Sequence, residues 1–266
     1  TAKEWGPQSL GGGRAVMPLT SFQKTISLRL SENRSCDSYL AGGAALYFLP
    51  DSKRYSNDLD YFHDSLERVA EAFQADRTLL EKVGMNVAIE MNQPGFIRAV
   101  VSRGAQSTKI EWAHDSAWRF LPTLLMPGAG YMLHPDDLEL NKLLALVGRD
   151  EARDFLDILF IHEDILALGA LVWAAVGKDP GFTPLSLLEL LKRRGKYQSE
   201  DFKRLRLAKA VDLPELKSRW LKALEEAQRF VESRPAEELG CLYYSPQQRT
   251  FTAPAPQDAA PSVPHF

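Results

Sequence analysis

Two aspartates stand one residue apart in "NDLDYF", Asp58 and Asp60. In a strand, residues i and i+2 share a face, so the two carboxylates stand side by side. Like charges that close raise one another's pKa, and a hard cation relieves the repulsion. Mg2+ takes oxygen ligands, commonly one or two carboxylates plus substrate phosphates, and two such ions clamp an in-line displacement at phosphorus. An isolated pair would suit a solvated strand end as well, so its neighbours matter. Upstream, Gly42 and Gly43 open a turn before a short apolar run. Such a turn lets backbone N–H groups approach phosphate oxygens. Ser56 is placed either to donate to a phosphate or to fill a turn.

Further along, Glu111 in "TKIEWAH" shares a strand face with Lys109. If this strand lies beside that of Asp58 and Asp60, Glu111 completes a carboxylate triad, as a general base or a metal ligand. On an edge strand the same residues would be a plain Lys/Glu alternation. Lys142 interrupts the leucine-rich "LNKLLALVG", and the next segment carries Arg153, Asp154 and Asp157. Asp154 and Asp157 fall on one helix face at i, i+3. A lysine facing an aspartate of the next helix is either an interhelical ion pair or a cation placed for a triphosphate.

These residues need elements to hold them. The spacing predicts a helix over 20–34, then a short strand, a glycine turn and a short helix in "SYLAGGAALYFLP". "DLDYF" reads as a strand. "SLERVAEAFQADRTLLEKVG" has helical periodicity closing on Gly84. "NVAIEMN", "IRAVVSR" and "TKIEWAH" follow as strands, giving a small mixed sheet with a helix packed on it. "WRFLPTLLMPGAGYML" reads as an edge segment and connecting loop. From His134 onward six helical segments predict a bundle. The Ala/Pro-rich end, "TAPAPQDAAPSVPHF", reads as a disordered tail. The fold class expected is α+β, divided into an N-terminal arm (1–19), a mixed-sheet core with packed helices (20–132), a helical domain (133–234) and an extended or disordered tail (235–266).

Composition narrows the function classes. A net charge of −3 excludes a strongly basic whole-chain footprint, though not a local patch. Two distant cysteines, Cys36 and Cys241, argue against a disulfide scaffold or a cysteine-type zinc site and for a cytoplasmic setting. No apolar run reaches the roughly 18 residues of a membrane span, and the N-terminus lacks the pattern of a secretory leader.

Together, "GGAALYF…RYSNDLDYF" resembles the DNA polymerase β-type nucleotidyltransferases, and more narrowly the AbiEii/AbiGii toxin family and its MenT-type members. That family has a GGTAL-like turn, then an R-x-S-x-D-[LF]-D-[FY] strand. Here these positions are Gly42 to Leu46, then Arg54, Ser56, Asp58, Leu59, Asp60 and Tyr61. The family's second half has a Lys on a leucine-rich helix and then an R-D-x-x-D helix, matched by Lys142 and by Arg153, Asp154 and Asp157. The resemblance runs from about Leu40 to Phe160. Ala44 stands where the superfamily often has Ser, the gap to Asp58 includes the long "LPDSKRY", and Glu111 stands where Asp is more usual.

The resemblance implies a nucleotidyltransferase core that moves a nucleoside monophosphate from an NTP to an acceptor with release of pyrophosphate. It implies two Mg2+ ions on Asp58, Asp60 and Glu111, a triphosphate held by Gly42, Gly43, Ser56 and Lys142, and catalytic roles for Asp58, Asp60, Glu111, Lys142 and Asp157. Asp157 would orient Lys142 or contact the nucleotide, and Asp154 with Arg153 would buttress their helix. It further implies the toxin of a toxin–antitoxin or phage-defence system, with a cognate antitoxin and an RNA acceptor such as a tRNA 3′ end. The basic run Lys192, Arg193, Arg194, Lys196, Lys203, Arg204, Arg206 and Lys209 would suit RNA, or a solvated helix face. The competing readings are an NTP-binding module acting through a protein partner without turnover, and a small-molecule nucleotidyltransferase of the antibiotic-modifying kind.

Overall fold

A computed structural model describes residues 19–46, 56, 58–203, 205, 207, 211–255 and 261–266. Nearly all of the expected N-terminal arm, Arg54, the "LPDSKRY" gap, and Arg204, Arg206 and Lys209 lie outside the described residues.

Among the described residues, seven strands form one mixed sheet in the order β3-β4-β5-β2-β1-β7-β6. They are β1 (Ser38–Ala41), β2 (Asp58–His63), β3 (Asn86–Gln93), β4 (Phe96–Arg103), β5 (Gln106–His114), β6 (Leu124–Met126) and β7 (Gly130–Met132). The central strand β2 runs antiparallel to β1 and parallel to β5. Its alternation decides the two faces: Leu59, Tyr61 and His63 are buried, while Asp58, Asp60 and Phe62 are only half-buried. The buried face is covered by α1 (Ser21–Leu30) and α3 (Leu66–Lys82), whose Phe22, Ile26, Val69 and Phe73 share one core with Leu59, Ile110 and Trp112. Helix α1 starts on a capping box, Thr20 with Gln23, and is shorter than expected because a 3-10 turn takes over at Ser31–Asn33. The expected edge segment "WRFLPTLLMPGAGYML" contains the β6–β7 hairpin, and β7 joins the sheet parallel to β1.

Across the other face stands α4 (Pro135–Arg149), and with it α5 (Ala152–Asp164), α6 (Leu168–Lys178), α7 (Pro184–Leu191), the short α8 (Ser199–Lys203) and α9 (Leu213–Glu232) build a second, helical core. Helix α6 carries nine buried residues in succession, Leu168 to Val176, as a helix surrounded on all sides must. The α4–α5 corner turns at Asp150, a non-glycine residue at φ 51°. Its carboxylate accepts hydrogen bonds from Tyr197 Oη (2.6 Å) and Arg194 Nη1 (3.0 Å), which hold the corner.

Where it is described, the expected extended or disordered tail contains three strands. Strands β8 (Leu242–Ser245), β9 (Thr250–Thr252) and β10 (Val263–His265) form a three-stranded sheet, order β10-β8-β9. Leu242, Tyr243 and Phe251 are buried in the helical core. His265 Nε2 lies 3.0 Å from the Phe120 carbonyl oxygen. Prolines dominate the composition there, but the few aromatics find an apolar surface. The backbone reaches α6 closely enough that a Cβ on Gly177 would sit 2.3 Å from the Gly240 carbonyl oxygen.

Candidate active site

The sheet face carrying Asp58 and Asp60 forms one wall of a cleft of about 360 Å³, with α4 opposite. That is a usual volume for a small-molecule site. The register places the side chains in rows across the strands. Asp60 pairs with Glu111, and Glu111 in turn with Arg98. One pleat earlier Asp58 lies opposite Lys109, and one pleat later Phe62 lies opposite Ala113 and Ala113 opposite Phe96. Glu111 thus belongs to a central strand beside the aspartates, and the edge-strand alternative fails.

Gly42 bounds the site on the β1 side. It sits at φ +63°, and a Cβ there would lie 1.9 Å from Asp60 Oδ2. Only glycine lets the chain turn into α2 (Gly42–Leu46) against that carboxylate. Ala44 has no accessible surface and packs into the sheet core. Ser56 lines the cleft, but its hydroxyl donates to the Asp58 carbonyl oxygen at 2.9 Å and so fixes the strand entry.

Lys142 reaches the cleft from α4, with only 5% of its surface exposed. Its ammonium lies 2.9 Å from Asp157 Oδ2 and 3.4 Å from Asp154 Oδ1. Both carboxylates are fully buried at the start of α5. Arg149, seven residues after Lys142 and hence on the same helix face, donates to Asp154 at 2.7 and 3.0 Å. Asp154 and Arg153, expected from sequence to buttress their helix, take separate partners. Asp154 belongs to Lys142 and Arg149, while Arg153 crosses the cleft to Asp58 Oδ2 at 3.4 Å and contacts Glu151 at 2.7 Å. Consecutive on a helix, Arg153 and Asp154 point about 100° apart and so reach different partners.

Arginines hold two of the three carboxylates. Arg98 donates to Glu111 Oε1 at 2.8 Å, and Arg153 faces Asp58. Asp60 is different: burial, then the Glu111 carboxylate beside it, push its pKa up to about 6, while Lys142 pulls the other way. Among the described residues, no three Asp, Glu, His or Cys side chains converge closely enough to hold a metal ion as placed. The donor set is nonetheless of the right chemistry for a hard cation: adjacent carboxylates, one short of compensating positive charge. The basic run expected for RNA is largely paired where it is described: Lys192 with Glu189 (2.7 Å), Arg194 with Asp150 (3.0 Å) and Lys203 with Glu200 (2.9 Å).

Sequence reasoning overlooked Arg98, Arg149 and the Phe62–Ala113–Phe96 row. Arg98 had a signal. The β4–β5 connection pairs Arg103 with Gln106 across a two-residue loop containing Gly104, and counting back along both strands puts Arg98 opposite Glu111.

A mixed sheet with paired carboxylates on a central strand, a glycine turn against them and a helix-borne lysine opposite has the chemistry to hold a hard cation and a phosphate. The family model described as "Nucleotidyl transferase AbiEii toxin, Type IV TA system" matches residues 32–240. The chain belongs to this AbiEii nucleotidyltransferase toxin family, and it is a nucleotidyltransferase. No curated protein is significantly similar in sequence. A Helicobacter pylori protein proposed to be a nucleotidyltransferase shares the fold, with 16% identity and a TM-score of 0.54 over 79% of this chain and 94% of its own. The Helicobacter pylori protein JHP933 aligns at 17% identity with a TM-score of 0.49, covering 79% and 91% of the two chains. No helix among the described residues is long and apolar enough to cross a membrane.

Proposed function

We propose that this enzyme transfers a nucleoside monophosphate from an NTP to the 3′ hydroxyl of an RNA, a tRNA being the favoured acceptor, and acts as the toxin opposite a cognate antitoxin in the cytoplasm. The observation that carries the reading is the parallel register Asp60↔Glu111, which sets three carboxylates in two adjacent rows beneath Lys142 in a cleft of substrate size. Asp58, Asp60 and Glu111 are the residues that would hold Mg2+, and the metal would supply charge neutralisation at the phosphates and a more acidic acceptor hydroxyl.

The chain's own groups do the rest. Glu111 accepts the acceptor hydroxyl's proton once Arg98 yields. Lys142 neutralises phosphate charge, and Asp157 fixes its ammonium from below. The backbone of Gly42 and Gly43 borders the triphosphate without a side chain in the way. Ser56 acts by holding the start of β2. Arg149 and Arg153, half-exposed at the cleft, contact the phosphates of the incoming substrates.

Incubating the protein with Mg2+, each labelled NTP in turn and total tRNA tests the reading. Label in the tRNA band with pyrophosphate released is the expected result. NTP bound with neither label transferred nor pyrophosphate released would overturn it in favour of a binding module.

A further inference from the structure

One end of the cleft holds a polar group that the chemistry above does not use. Asp115 follows β5, four residues beyond Glu111. At the rise of a strand that is roughly 13 Å from the carboxylate row. Its Oδ2 accepts a hydrogen bond from Asn141 Nδ2 at 3.0 Å and pairs with Lys178 Nζ at 3.2 Å. Its Oδ1 accepts from the Ser116 backbone N–H at 2.9 Å. Three elements converge there: the β5 exit, α4 and the last residue of α6. The lysine side chain is 5% exposed and the carboxylate 21%. All three residues line the cleft.

The arrangement leaves unused hydrogen-bonding capacity. Because Asp115 accepts only, the Asn141 amide is oriented with its nitrogen toward the carboxylate. Its Oδ1 is buried and has no partner among the described residues. An unpaired buried acceptor is destabilising, so one at a cleft wall is a place where a ligand donor belongs. Lys178 has three donors, and Asp115 takes one. An acceptor beside a donor complements the edge of a nucleobase, which presents donors and acceptors side by side.

Between this group and the carboxylates lies the row Phe62–Ala113–Phe96. A small residue between two aromatic rings leaves a flat apolar notch, where a base face loses little by leaving water and can stack. The cleft therefore runs from charge, through an apolar floor, to a donor–acceptor pair. A nucleotide has the same order: phosphates, sugar and base face, base edge.

We infer that Asn141 and Lys178, held in place by Asp115, read the edge of the substrate's base and set which NTP the enzyme accepts, with Phe62, Ala113 and Phe96 as the surface under the base. This rests on the proposed NTP reading of the cleft. Neither residue touches the reacting phosphorus, so their loss acts on choice among NTPs more than on the triphosphate.

Titration calorimetry of the full chain with Mg2+ and each of ATP, GTP, CTP and UTP, and separately with inorganic tripolyphosphate, tests this. Wild type is expected to favour one NTP by tenfold or more. Asn141→Ala is expected to weaken that NTP roughly tenfold, the scale of one lost hydrogen bond to a buried partner, and to narrow the preference. Tripolyphosphate affinity should change by less than twofold. Lys178→Arg, which keeps the partner charge for Asp115, should shift the order of preference and provides a second variant if Asn141→Ala folds poorly. Wild-type binding of all four NTPs with equal affinity, or an unchanged preference in both variants, would overturn the inference and leave the transferase reading standing. A wild type that binds tripolyphosphate but no NTP, or neither, would overturn the NTP reading itself.

Discussion

Gly42 and Asp60 form the tightest constraint in the site. With φ at +63° and the Asp60 carboxylate 1.9 Å from where a Cβ would stand, Gly42→Ala must move either the turn or the carboxylate. We expect a stability loss of about 1–3 kcal/mol and a transfer rate about 100-fold lower, as for a catalytic group misplaced by an ångström. Denaturant titration and initial rates read the two effects, and a variant matching wild type in both would refute the placement. Asp60 carries a second expectation. Its folded pKa, about 6, lies above the ordinary carboxylate value. The unfolded chain gives up this proton first, so between about pH 4 and pH 6 the folded state binds more protons and stability falls as pH rises. Without metal, Asp60→Asn should be more stable than wild type by about 2 kcal/mol near pH 7.5, after allowance for water reaching the carboxylate through the cleft. The difference should vanish near pH 4. Thermal unfolding across that range, showing no pH-dependent gap, would contradict it.

At the scale of elements, the α4–α5 corner brings Lys142 against Asp154 and Asp157. Lys142→Met leaves two buried carboxylates with one cation fewer and should cost about 3–5 kcal/mol. Adding Asp157→Asn should recover a good part of that loss, since an uncompensated charge is then removed. A double-mutant cycle by chemical denaturation measures the coupling, and strictly additive effects would show that the pair does not interact. Much of this element level was legible in the sequence. Alternation placed Asp58 and Asp60 on one face, and helical spacing put Lys142 near an aspartate of the next helix. What alternation could not supply was the order of the strands. The parallel pairing of β2 with β5, which brings Glu111 to Asp60, depends on a crossover through α3 and the β3–β4 hairpin. The partner of Arg153 was hidden for a similar reason: Asp58 is 95 residues away, and local spacing does not reveal it.

On the scale of the whole molecule, two cores meet at the cleft, one under the sheet and one among the helices. The last strands belong to the second. Local composition hid them, because Pro and Ala dilute the pattern and the pairing of β10 with β8 bridges nearly twenty residues. Tyr243 Oη donates to Glu238 at 2.7 Å, and Trp173 Nε1 to the Glu238 carbonyl oxygen at 2.7 Å, so the segment is tied to α6. Removing residues 241–266 should destabilise the protein by about 5 kcal/mol or more through loss of Leu242, Tyr243 and Phe251 from the core. An unchanged melting temperature would show that the segment contributes nothing to stability. Pyrophosphate release from the preferred NTP, with Mg2+ and tRNA present, should be measured for wild type and for Asp58→Asn and Asp60→Asn at equal folded concentration. We expect steady release by wild type and a fall of at least about 100-fold in each variant. Release by either variant at the wild-type rate would contradict it.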